Sequence, residues 1–203
     1  MGFNGDIVVY RSSLALSELD PSVGTGDHPV FGEWTGNDGW RIVHVRHDGH
    51  PFEYERPWLE RIATATGSSV LVCNIFESYV ARLRGAGIAG FWDGWLDPGA
   101  VAHSLVGSWL QNLANDVGED PFYVGGEFGN QQMYDALVGE VQAALDRARP
   151  GLAEAVVVWA RDAGCAVAVE NVVRHLEGRR EPHAQADFFE LLDLIGVSGS
   201  TPD

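Results

Sequence analysis

The chain has 203 residues, 45% of them hydrophobic, which suits one domain with a sizeable core, and it carries a formal net charge of -16. All 13 basic residues are arginine, against 29 carboxylates. That excludes Schiff-base and general-base lysines and the P-loop lysine, and it disfavours duplex nucleic acid, whose backbone is bound through a basic face.

In chain order, Asp6–Arg11 reads as a strand with both faces covered, and Ser12–Asn37 as a long loop rich in Gly, Pro, Ser and Asp. Trp40–Arg46 is a second strand. Pro57 opens a short helix running to Thr66, with Trp58 and Ile62 four apart and Gly67 as its stop. Val70–Phe76 and Tyr79–Arg84 form a hairpin about Glu77-Ser78, although that turn lacks the usual Gly or Asn. Ile88–Trp92 adds a fifth strand, closed by Asp93-Gly94.

From Asp97 the apolar period becomes helical. Asp97 is an N-cap with Pro98 at the first helical position, and Val101, Leu105 and Trp109 follow at spacings of four. A Gly-rich loop, Val117–Asn130, precedes the stripe Tyr134, Leu137, Val138, Val141 and Leu145. Pro150-Gly151 breaks that helix, and Leu152, Val156, Trp159 and Ala163 form the next. Val169–Leu176 and Phe188–Ile195 give two more, ended by Gly178 and Gly196.

The expected class is therefore α+β: a mostly antiparallel N-terminal sheet of about five strands with one short helix, then a C-terminal bundle of about five helices. Residues 1–96 form the sheet-rich part and 97–197 the helical part, packed as one domain, with 198–203 as a flexible tail. The apolar runs are shorter than the roughly 20 residues that span a bilayer, and the N-terminus has neither the basic nor the apolar region of a signal peptide. A soluble, cytoplasmic protein without a membrane partner is expected. The arginine usage is that of a GC-rich bacterial genome. Cys73 and Cys165 lie in apolar runs and read as buried thiols.

Motif by motif, little chemistry emerges. Gly85–Gly90 matches G-x-G-x-x-G after a strand, but no helix follows to hold a pyrophosphate, so it reads as a glycine-rich connection. His44, His47, Asp48, His50, Glu53 and Glu55 make the densest polar cluster; His47, His50 and Glu53 are its candidate metal ligands, of a type that suits zinc, manganese or iron. No other cofactor is implied. His103 and His175, on helices, are expected to be satisfied or at the surface. No nucleophile elbow, C-x-x-C or H-E-x-x-H occurs.

Seven tryptophans are the remaining signal. Trp34, Trp40, Trp92, Asp93 and Trp95 are candidate binding residues, since large rings line pockets and anchor interfaces. Two functions follow. The first is a non-catalytic acidic module, immunity- or adaptor-like, that masks or recruits a basic protein partner through opposite charge. The alternative is a small enzyme or ligand binder whose aromatic-lined pocket takes a small apolar ligand and uses His and carboxylates for acid–base or metal chemistry.

Overall fold

The computed structural model describes residues 5–20, 29–46, 56–117, 129–177 and 183–197. The expected α+β class is observed: an antiparallel sheet near the N-terminus precedes a mostly helical C-terminal region. The elements are β1 (Gly5–Arg11), α1 (Leu16–Leu19), β2 (Val30–Thr35), β3 (Trp40–Arg46), α2 (Arg56–Thr66), β4 (Val70–Phe76), β5 (Val80–Gly87), β6 (Gly90–Trp95), α3 (Pro98–Val117), α4 (Gly129–Asp162), α5 (Val169–Glu177) and α6 (Ala184–Leu194). The chain divides into two compact units, Met1–Leu96 with Arg149–Asp203, and Asp97–Ala148.

The first unit is built on six strands in the order β2-β3-β1-β4-β5-β6, every neighbouring pair antiparallel. β1 and β4 sit in the middle and are buried on both faces, as their unbroken Val/Ile/Leu runs require. Alternate residues point to opposite faces. Ile7, Val9, Trp40, Ile42, Leu71, Cys73 and Leu83 meet α5, α6 and the second half of α4. Val8, Tyr10, Val43, Val70 and Val72 meet α1 and α2 through Leu16, Trp58, Leu59 and Ile62.

Three expectations change in detail. The loop expected at Ser12–Asn37 contains α1 and the sixth strand, β2. β2 is an edge strand, alternately exposed and half-buried, so it lacks the apolar run that marks a central strand. Asp93-Gly94 lies inside β6 rather than closing it, and the turn falls earlier, at Ile88-Ala89. The helices expected on either side of Pro150 are one continuous helix, α4. Proline removes one helical hydrogen bond and costs roughly 3 kcal/mol. Beyond it, Leu152, Val156, Val157 and Trp159 are buried, each contributing about 1.5–3 kcal/mol, so the packing outweighs the break.

The Glu77-Ser78 hairpin forms as expected, with both residues at positive φ, 50° and 70°. The Gly85–Gly90 segment is the end of β5, the turn and the start of β6, a connection between strands. Gly85 itself is required: a Cβ there would lie 2.4 Å from the Trp92 ring.

The second unit has its own small core. Ala102, Val106 and Leu110 of α3 pack with Val138, Tyr134, Leu137 and Val141 of α4. Asp97 caps α3 as expected, its Oδ1 accepting from the amides of Gly99 at 2.8 Å and Ala100 at 3.1 Å. Among the described residues no helix is long and apolar enough to cross a membrane.

Candidate functional site

The five candidate binding residues do not surround one space. Trp40 is 1% exposed. Its ring packs at a tilt, 5.8 Å between centroids, against Trp159, whose indole N–H donates to Val70 O at 2.9 Å, and the Arg11 guanidinium lies 5.3 Å from the Trp40 ring. It is core. Trp34, on edge strand β2, packs over Gly32 and stacks on His44 at 6.4 Å. Trp92 lies on the same face of the sheet at the opposite edge, β6, five strand spacings away, roughly 24 Å.

Asp93 and Trp95 do come together, on the other face. Asp93 forms an ion pair with Arg82, and the Arg82 guanidinium lies 5.3 Å from the Trp95 ring. Asn74 stands opposite Arg82 across β4 and β5, and its amide donates to the buried Asp6 carboxylate at 2.6 Å. Asp6, Asn74, Arg82 and Trp95 thus occupy one cross-strand row. The sequence gives Asp6 no distinctive spacing, and only strand pairing reveals this row.

His47, His50 and Glu53 lie outside the described residues. His44, the neighbour expected to share their cluster, is buried between Phe31 (ring centroids 5.5 Å apart) and Trp34. Burial among rings pushes its pKa down to about 4. Among the described residues, no three His, Cys, Asp or Glu side chains converge in a way that could hold a metal ion. Cys73 is fully buried, and burial raises its thiol pKa, as does the neighbouring Asp6 charge. It therefore stays protonated and is a poor nucleophile. His175 Nε2 lies 3.2 Å from Asp187 O, and His103 Nδ1 lies 3.1 Å from the Tyr134 hydroxyl.

The most distinctive surface is on α3. The stripe expected to face a core, Val101, Leu105 and Trp109, is split: Val101 is buried, whereas Leu105 is 44% and Trp109 51% exposed. The stripe that fills the core is Ala102, Val106 and Leu110, one residue further on. Two adjacent apolar stripes on one helix exceed what its own unit buries. Leu105 and Trp109, four apart, make one contiguous apolar step. Asp116 continues that face at i+7 from Trp109 and is exposed.

The charge of the segment that carries this step is one-sided. The segment Asp97–Ala148 holds eight carboxylates against one arginine, Arg147. Exposed Asp135, Glu140 and Asp146 lie on the α4 portion of the unit. An apolar step on a segment with unbalanced carboxylates can bind a complementary surface, cationic around an apolar centre.

Compared with protein-family models, curated proteins and solved structures, the chain matches none.

Proposed function

We propose that the protein is a non-catalytic acidic binding module. It recognises a basic protein segment, and the contact is centred on Leu105 and Trp109 of α3. The observation that carries the reading is the exposure of those two side chains in a unit with eight carboxylates and one arginine. Tryptophan anchors dominate interface energies when their surroundings exclude water, and an acidic rim steers a basic partner to them and raises the on-rate. The partner's complement is a helix with arginine or lysine flanking a small apolar stripe, the helix-in-groove mode of recognition. Masking such a segment, as an immunity or adaptor protein does, needs no catalytic group.

The probe is a fluorescein-labelled amphipathic peptide of about 20 residues, built of Leu and Arg and read by fluorescence anisotropy. Trp109→Ala is expected to weaken binding about thirtyfold, the scale of a hot-spot truncation of about 2 kcal/mol. Rising salt is expected to weaken the wild type progressively. Trp109 is half exposed, so the variant keeps its fold, checked by circular dichroism. Equal affinity of wild type and Trp109→Ala contradicts the reading. So does equal affinity for a scrambled peptide of the same charge.

A further inference from the structure

A second feature belongs to the sheet unit. At the end of the sheet where β4 begins and β5 ends there is a cavity of about 460 Å3, within the range of small-molecule sites. Glu60 and Thr64 of α2, Asp162, the last residue of α4, and Ser68, Ser69 and Gly87 line it. Ile88, at the tip of the β5–β6 turn and 91% exposed, lies at its rim.

The glycine at position 87 keeps this space open. A Cβ there would stand 2.5 Å from Ser69 Oγ, so any larger residue would push into the hydroxyl. Ser69 is 3% exposed. Among the described residues no hydrogen bond engages its hydroxyl, and Ser69 lines the cavity, where the hydroxyl is open to a guest.

The electrostatics define the guest. The lining contains two carboxylates and no basic side chain. Asp162 Oδ2 accepts from the Ala89 amide at 3.0 Å, and Glu60 Oε1 accepts from Arg56 Nε at 2.7 Å. Each carboxylate keeps a second oxygen to offer. Hydroxyls and carboxylates, of which only Glu60 is met by an arginine, match a ligand rich in N–H donors and positive charge. The apolar Ile88 rim suits a short carbon chain between the charges.

We propose that this cavity binds a small organic polycation of the polyamine class. One ammonium group lies toward Asp162, another toward Glu60, and Ser69 Oγ accepts from an N–H. Arg56, already on Glu60, is the internal competitor that the ligand displaces.

The test is a titration with spermidine at 150 mM salt, followed by calorimetry and by amide chemical shifts. Shifts are expected at Ser68, Ser69 and Gly87–Ala89. Asp162→Asn keeps an acceptor for the Ala89 amide but removes the charge, and is expected to weaken binding at least tenfold. Gly87→Ala is expected to do the same by filling the cavity. Arg56→Gln is expected to strengthen binding severalfold by releasing Glu60, an effect that a general loss of structure would not produce. Sorbitol, neutral and of similar reach, is expected not to bind. The proposal is overturned if spermidine shifts are spread over the acidic surface, if Asp162→Asn and Gly87→Ala bind as the wild type does, or if sorbitol binds equally.

Discussion

At the scale of single residues, burial decides which groups keep their ordinary chemistry. His44 is neutral in the folded protein because its pKa lies near 4, below the usual 6.5, through desolvation among Phe31 and Trp34. The unfolded chain takes up this proton between pH 6.5 and 4, so the stabilisation is complete above pH 6.5 and is lost as pH falls through that window. The loss attributable to His44 is up to about 3 kcal/mol. Urea unfolding of wild type and His44→Leu at pH 7.5 and 4.5 measures it: the variant should lose distinctly less stability on acidification, and parallel losses would refute the assignment. Gly85→Ala tests packing at the same scale. Its Cβ would meet a rigid indole, so a loss of about 1–3 kcal/mol is expected, with an altered tryptophan emission. Gly94→Ala meets only the end of the Leu152 side chain, and a smaller loss should follow. At this scale the sequence was partly legible. Tryptophan as a marker of burial holds for Trp40, but nothing in the spacing tells that Trp34, Trp92 and Trp95 end on different edges and faces. Asp6 passes for a strand-end polar residue until register places it beside Asn74.

At the scale of elements, caps and turns follow local rules more faithfully than boundaries do. Asp97 at the start of α3 accepts from two backbone amides, so Asp97→Ala should cost about 1 kcal/mol. Faster hydrogen exchange at Gly99 and Ala100 would register the lost cap, and unchanged exchange there would count against it. The Glu77-Ser78 turn places two ordinary residues at positive φ, where glycine is preferred. Ser78→Gly is expected to raise the urea midpoint, by about 0.5–1 kcal/mol in stability. An unchanged or lowered midpoint would show that the serine side chain matters more than its strain. The hairpin was legible from the two apolar runs despite the wrong turn residues, because long-range pairing in the sheet overrides a local preference. α4 shows the reverse case: Pro150-Gly151 is a strong local stop signal, and burial of Leu152, Val156 and Trp159 carries the helix through it. β2 was hidden because an edge strand with Gly32 at its centre lacks both a continuous apolar run and a long alternation.

At the scale of the whole molecule, composition acts first as a filter. A lysine-free chain at net charge -16 is closed to lysine catalysis, and the expectation it sets is that duplex binding is disfavoured and cationic partners are favoured. The α+β class was legible because the apolar period changes from two to about 3.6 near Asp97, a signal that survives errors at individual boundaries. The exposed step on α3 was present in the sequence as Val101, Leu105 and Trp109. A spacing of four cannot tell which of two adjacent stripes faces the core, and only the packing of Ala102, Val106 and Leu110 assigns it. The surface on α3 and the cavity of the sheet unit differ in kind: one is an exposed apolar step of Leu105 and Trp109, the other is lined by hydroxyls and carboxylates. The central claim, that a basic partner docks on Trp109, is tested most directly by indole N–H resonances during titration with the Leu/Arg peptide. Seven tryptophans give seven signals, and Trp109→Phe assigns the one that matters. The Trp109 indole and the α3 amides should shift together and saturate together, while the core indoles of Trp40 and Trp159 stay still. Shifts confined to other tryptophans, or spread evenly without the Trp109 indole, would contradict it.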